Sequence, residues 1–373
     1  MDNFTKMLFV GMQNKGHNVQ IWQPKPIFSK LPFGLIGKKW MGYLDSFIIF
    51  PFVAKVRIRK CKRKTLFVFT DQALGPWVPL VSKKAHVIHC HDLLALQSAK
   101  GEIKENLTSW TGSYYQKFIL WGYLAAKHFI SVSINTEETL RTFLGDRAVT
   151  SQVVYNGLNP KFRPLDTMTA RENLEKCIGI SLKTGFLMHV GGNQWYKNRP
   201  GVIEIYNSWR HISIRKLPLL LFGESPSDDL KEVFEESEFK CDIHFIVDAT
   251  DDLIHFAYAG ASLLIFPSHA EGFGWPIAEA MACGCLVITS NVPPMTEVGG
   301  KSATYISLKP SNPSDVNKWA ADSARVVDSI ICMPKKESQT ARSLALHNAK
   351  RFELDAAINQ IEEIYLNITE QAR

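Results

Sequence analysis

Ten short runs of β-branched, leucine-rich or aromatic residues fall into two series along the chain, with helical patterns between them. The first series covers 17–22, 65–69, 85–90, 128–133 and 151–155. The second covers 185–191, 217–223, 241–247, 261–268 and 285–290. Segments such as 136–145 and 199–212 carry apolar residues at three-to-four spacing between them. Strand–helix alternation of this kind builds parallel sheets with helices on both faces. Two series in 373 residues imply two such α/β domains, since one core rarely grows that large. The join is expected at 156–166, which is rich in Asn, Gly and Pro. The domains are therefore read as 1–160 and 161–350, with 351–373 as a closing amphipathic helix. That helix aligns Phe352, Ala356, Ile358, Ile361, Ile364, Tyr365 and Ile368 along one side.

Apolar residues make up 46% and charged residues 21%, the balance of a water-facing globular chain. No run is long enough to span a bilayer, and the first residues lack the basic–apolar–small order of a secretory leader. Seven dispersed cysteines without a CxxC pair read as reduced thiols, which places the chain in the cytoplasm. Charge is uneven: residues 1–155 hold 21 Lys and Arg against 9 Asp and Glu. The densest basic run, 55–64, follows the apolar stretch 46–53 and reads first as a solvated segment after a buried one. Peripheral contact with anionic lipid on the inner face of a membrane is the second reading. Nucleic acid fits less well, because no reading module accompanies the charge. The chain opens directly on a helix and a glycine turn before 17–22. The sheet is thus expected without its first strand, leaving the surface of Phe4 and Phe9 poorly covered.

The stretch EGFGWPIAEAMACG, beginning at Glu271, carries the most chemistry. The run before it, 261–268, delivers a buried strand to the carboxyl edge of the second sheet, where open α/β sheets bind ligands. Gly272, Phe273 and Gly274 make a sharp turn, Pro276 suits a helix's first turn, and Gly284 stops that helix. The free N–H groups at its start suit a phosphate. Glu279, one turn inside, can accept the adjacent hydroxyls of a ribose, and Glu271 the hydroxyls of a sugar. The alternative is a helix-start carboxylate and a solvated one.

A second element, 189–206, reads as strand, glycine turn, lysine and helix. Gly191, Gly192 and Asn193 form the turn, without the Walker or GxGxxG order. Lys197 and Arg199 stand where cations would neutralise a diphosphate leaving group. In the first half, His89-Cys90-His91-Asp92 ends a strand. His89 reads as a core histidine, while His91 and Asp92 reach the ligand edge. Cys90 should point away from both histidines, which disfavours a metal site there.

Together these elements resemble the retaining GT-B glycosyltransferases of family 4, also called group 1. The resemblance rests on Glu271 and Glu279 with seven residues between them, Asn156-Gly157, Lys197 in YKN, and the HCHD ending at Asp92. It implies two Rossmann-like domains facing a cleft, with the last helix crossing back to the first domain. A nucleotide-sugar donor would bind the second domain through Gly191, Gly192, Asn193, Lys197, Arg199, Glu271, Gly272, Phe273, Gly274 and Glu279. A glycan, lipid-linked or small-molecule acceptor would bind the first domain near His91 and Asp92. His91, Lys197 and Glu271 are the implied catalytic groups, and transfer would retain the anomeric configuration with no metal and no cofactor. The family's arginine after the second domain's first strand is replaced here by Gly191-Gly192-Asn193. That contact is either missing or passes to Arg199. A nucleotide-sugar epimerase and a donor-binding partner subunit impaired in catalysis are the rival readings.

Overall fold

The computed structural model describes residues 3–30, 35–103, 105–147 and 149–371. The chain divides into two compact units, Met1–Tyr155 with Asp355–Arg373, and Asn156–Leu354. In the first, strands Phe67–Phe69 (β1), His86–Cys90 (β2), His128–Ser131 (β3) and Thr150–Val153 (β4) pair in sequence order, every pair parallel. β2 is buried along its whole length, with Cys90 packed among Tyr123, Phe129 and Leu140.

The second unit holds Leu187–Val190 (β5), Leu219–Gly223 (β6), Ile243–Val247 (β7), Leu263–Phe266 (β8), Val287–Ser290 (β9) and Thr304–Ile306 (β10). They form one parallel sheet in the order β10-β9-β8-β5-β6-β7. β6 and β8 are almost wholly apolar, as strands covered on both faces must be. Helix Arg199–Ile212 sets Tyr206 and Trp209 into this core, and the Trp209 indole donates to Asp328 of helix Pro313–Ile331 at 3.1 Å.

The closing helix, Leu354–Gln371, belongs to the first unit. Its buried face is Ala357, Ile358, Ile361, Ile364 and Ile368. Ile358 lies where a side chain on Gly11 would clash, with its Cδ1 2.7 Å from the Cβ position. Glu362 pairs with Lys15 at 2.7 Å.

Three expectations need correcting. Residues 17–22 form no strand: they pair with none of the described strands and are largely exposed. Trp22 anchors the segment by its side chain instead, edge-on to Phe67 and beneath Arg57. Phe4 is covered, buried by the rings of His89 and His91. The apolar stretch 46–53 is not buried as a block. It runs through a π-helical turn, Asp45–Ile49, into helix Phe50–Lys60, and the core takes only Phe50, Ala54 and Ile58 of that helix. An apolar run continuous around a helix exceeds the single stripe a core can cover. β10, three residues with only Ile306 buried, was too short to read as a strand.

Candidate functional site

The order of the second sheet reverses at β5. The chain steps outward through β6 and β7, then returns to β5's other side with β8 and continues through β9 and β10. Such a reversal opens a crevice beyond the carboxyl ends of the two diverging strands. Gly191, Gly192 and Asn193 follow β5, and the loop bearing Glu271 follows β8. The two sequence elements with the strongest chemical content thus meet at the switch point.

Backbone crowding dictates the glycine turn. Gly223 has φ of +141°, and a Cβ there would stand 2.0 Å from the Gly191 carbonyl oxygen. A Cβ at Gly191 would lie 2.9 Å from Nε2 of His189. After β8, Gly274 has φ of +103° and immediately precedes helix Trp275–Ala282, with Pro276 in its first turn.

Lys197 reaches Glu271 directly. Its ammonium donates to both carboxylate oxygens, at 2.8 and 2.9 Å, with side-chain exposures of 15% and 7%. Asn198, in the left-handed region at φ of 50°, starts the next helix and donates its amide to the Pro267 carbonyl at 3.0 Å. That bond ties the lysine turn to the end of β8. Arg199 is buried, and Nη1 donates to Asn193 Oδ1 at 2.5 Å and to the Glu224 carbonyl at 3.0 Å. Its Nε and Nη2 are buried without a hydrogen-bond partner among the described residues. Burial lowers the Arg199 pKa, though Glu224 and Asp229 partly offset this. His189 Nδ1 donates to the Ile265 carbonyl at 2.9 Å, and Nε2 is unpaired. Burial pushes its pKa down to about 3, with Arg199 and Lys197 adding to the effect, so the ring is neutral. Ser268 Oγ, just past β8, is likewise buried and unpaired. Arg199 Nε and Nη2 and the Ser268 hydroxyl are unpaired donors among the described residues beside a turn of bare backbone, which suits a polyanion, while the neutral His189 offers only an acceptor at Nε2.

Glu279 lies one turn into the Trp275–Ala282 helix and accepts a hydrogen bond from the Tyr258 hydroxyl at 3.1 Å. Burial raises its pKa to about 7, against the opposing pulls of the Tyr258 bond and of Lys197. Lys197 therefore acts on Glu279 through space while it pairs with Glu271.

The first unit carries its own polar cluster at the end of β2. His91 Nε2 donates to the Thr70 carbonyl at 3.0 Å, which leaves Nδ1 as the acceptor of the neutral ring. Its backbone N–H donates to Gln72 Oε1 at 3.1 Å. Asp92 accepts the N–H of Leu94 at 3.1 Å, and burial raises its pKa. Asp92, Gln72, Gln116, Ile119 and Tyr123 line a cavity of 90 Å³. His89 is structural: it shares a 2.6 Å hydrogen bond with Tyr365, and burial pushes its pKa to about 3. Both histidines touch Phe4, and Cys90 points instead into the core.

Sequence reasoning missed Tyr258, Glu224, His189 and Gln72. Glu224 follows β6 at the ligand edge, a position that could have exposed it. Tyr258 lies inside helix Asp251–Gly260, three-dimensionally adjacent to Glu279 but with no motif to mark it.

Residues 170–324 match the family described as glycosyl transferases group 1. Among curated proteins, the chain is similar to O-antigen chain mannosyltransferase B of Escherichia coli, 31% identical over 183 residues, 48% of this chain and 45% of that one. The chain spans about half the length of the curated relatives it matches. Sucrose-phosphate synthase from Thermosynechococcus elongatus shares the fold at TM-score 0.72 and 17% identity, covering 99% of this chain and 93% of that one. Anabaena HepE, solved in complex with UDP and glucose, superposes at TM-score 0.67 and 19% identity over 95% of this chain and 87% of that one. Residues 170–324 thus resemble the group 1 glycosyl transferases, within a fold shared with sucrose-phosphate synthase and HepE.

Proposed function

We propose that this chain, a GT-B fold whose residues 170–324 resemble the group 1 glycosyl transferases, moves a sugar from a nucleotide-diphosphate sugar to a glycan or lipid-linked acceptor. The observation that carries the reading is the buried cation Arg199 with two unpaired nitrogens, set beside Lys197 at the switch point. A diphosphate supplies the charge and acceptors that those nitrogens lack. Glu279 then takes the ribose hydroxyls, with Tyr258 holding one carboxylate oxygen. Glu271, at the end of β8, faces the sugar.

During transfer the bond from the anomeric carbon to the phosphate oxygen breaks, and its electron pair leaves with the diphosphate. Lys197, Arg199 and the N–H groups opening the Trp275–Ala282 helix oppose that growing charge. The acceptor hydroxyl forms the new bond and gives up its proton. We assign family 4 membership, retention of configuration and independence of metal to the same reading, supported by the Glu271–Glu279 spacing and by the gathering of Lys197 and Arg199 at the switch point. The acceptor belongs to the first unit, near His91 and Asp92, where Nδ1 of His91 is an available proton acceptor. The basic first half favours an anionic membrane surface as the place of work, in the cytoplasm.

Product analysis separates this reading from its rivals. Incubated with a nucleotide sugar and a lipid-linked glycan acceptor, the chain should yield a lengthened acceptor whose new linkage keeps the donor's anomeric configuration, read from the anomeric proton by NMR. Epimerised donor formed without any acceptor would identify an epimerase. Donor binding without either product would identify an impaired partner subunit.

A further inference from the structure

The first unit leaves an unusual amount of aromatic surface uncovered. Phe52 is 72% exposed and Trp110 74%, and Trp40, Ile48, Tyr114 and Trp121 are exposed as well. Single exposed apolar side chains are ordinary, but a contiguous patch is not. These residues come from two places, the helical run 40–60 and helix Trp110–Tyr123. Ring contacts join them. Tyr43 and Phe47 both meet Tyr115, Phe47 also meets Phe118, and Phe118 stacks on Trp121 with centroids 5.7 Å apart.

The charge around the patch has one sign. Seven Lys and Arg fall within 55–64, and the sequence has no acid between Asp45 and Asp71 or between Glu105 and Glu137. Lys55, Arg57, Arg59 and Lys60 continue the same helix beyond Phe52, all exposed. Lys117 lies on the aromatic side of its helix, its ammonium 5.4 Å from the Tyr114 ring centroid. Aromatic and aliphatic side chains flanked by a basic run match the two layers of a lipid leaflet, acyl boundary and anionic headgroups. No helix among the described residues is long and apolar enough to cross a membrane, so the contact would lie in the interface.

We infer that the patch formed by residues 40–60 and the Trp110–Tyr123 helix inserts into the interface of an anionic bilayer. The Trp110–Tyr123 helix gives the contact a purpose. At about 100° per residue, Trp110, Tyr114, Phe118 and Trp121 share one face, while Gln116, Ile119 and Tyr123 share the opposite one. The second set lines the cavity beside Asp92. One helix therefore has its aromatic face toward lipid and its polar-cavity face toward the group assigned to the acceptor. The inference rests on the proposed function for that purpose only; the lipid contact itself needs no donor.

The test uses the full chain and two vesicle preparations, phosphatidylglycerol mixed with phosphatidylcholine, and phosphatidylcholine alone. Brominated acyl chains in the mixed vesicles should quench tryptophan fluorescence, and partition should be at least about tenfold stronger than onto the neutral vesicles, weakening with salt. The variant Trp110→Ser/Tyr114→Ser/Trp121→Ser should lose most of the quenching and about tenfold in partition while melting like the parent. If that variant melts early, Ile48→Ser/Phe52→Ser takes its place with the same expectation. Lys60→Gln/Lys62→Gln/Arg63→Gln/Lys64→Gln should erase the preference for anionic lipid. Absence of quenching, or unchanged partition of the aromatic variants, would overturn the inference. So would a concentration-dependent dimer, seen by sedimentation and broken by the same variants, since the patch would then cover a second copy of this chain. Vesicle binding by a chain that binds no nucleotide sugar would uphold this inference and sink the transfer reading, so the two fail separately.

Discussion

Replacing Lys197 with alanine should lower kcat by about 10²–10³ while changing KM little, the usual cost of removing one donor aimed at developing charge. In the ground state the nucleotide sugar already carries its diphosphate, and Arg199 and the helix start share that charge. The leaving oxygen gains its charge only as the glycosyl bond breaks, and a cation that meets it then acts on turnover rather than on binding. Lys197 is positioned for this by two constraints: Asn198 pins the turn to Pro267, and Glu271 holds the ammonium by both oxygens. The alanine variant also takes the cation away from the buried Glu271 carboxylate, and breaking a buried pair by removing one partner costs about 3–5 kcal/mol of stability. The double variant Lys197→Met/Glu271→Gln removes both charges and so separates the folding cost of an uncompensated buried carboxylate from the loss of turnover. It should melt near the parent temperature and turn over no faster than the alanine variant. Full turnover in either variant, with only KM raised, would make Lys197 a ground-state contact.

The second large effect is on donor affinity and is set by pH. Glu279 takes up a proton near pH 7 because burial penalises its charge. Only the carboxylate can accept both ribose hydroxyls, since the protonated acid keeps one donor of its own. Affinity should therefore be full above pH 7 and fall about tenfold per unit as the pH drops below it, the free protein's proton competing with the donor. The diphosphate of a nucleotide sugar is ionised throughout that range, and His189 stays neutral, so neither adds a transition there. Glu279→Gln should weaken binding by about 1.5–3 kcal/mol, the worth of hydrogen bonds to a charged group, and flatten the pH profile. Calorimetry at pH 6 and pH 8 reads both. A profile unchanged by the substitution would remove Glu279 from the ribose.

Much of this site could be read in the sequence because its parts are local. The Gly191-Gly192 turn, Lys197, Arg199, Glu271, the Gly274 turn and Glu279 each follow a buried strand or open a helix, and the strand pattern alone sent them to one sheet edge. What the pattern withheld was the strand order. Only the sheet shows that β5 and β8 are neighbours at the reversal, and hence that Lys197 pairs with Glu271 rather than standing apart from it. Tyr258 and Gln72 were hidden for the same reason, since their partners lie 21 and 19 residues away in sequence. In the first half, hydropathy misled where burial and helix geometry diverge. Residues 46–53 are apolar on every side, so no period told the covered face from the open one, and 17–22 had the composition of a strand but meets the β1 edge through the Trp22 ring rather than by backbone pairing. β10 failed the reading by length alone.

The central claim is that the crevice at the β5–β8 switch point holds a nucleotide-diphosphate sugar. A thermal-shift screen of UDP-, GDP- and ADP-sugars against the full chain and against Arg199→Met tests it most directly. One donor, at about 100 times its Kd, should stabilise the parent by about 2.7 kcal/mol, and the variant should lose most of that shift. No shift with any donor, or a shift that the Arg199 substitution leaves intact, would contradict the account.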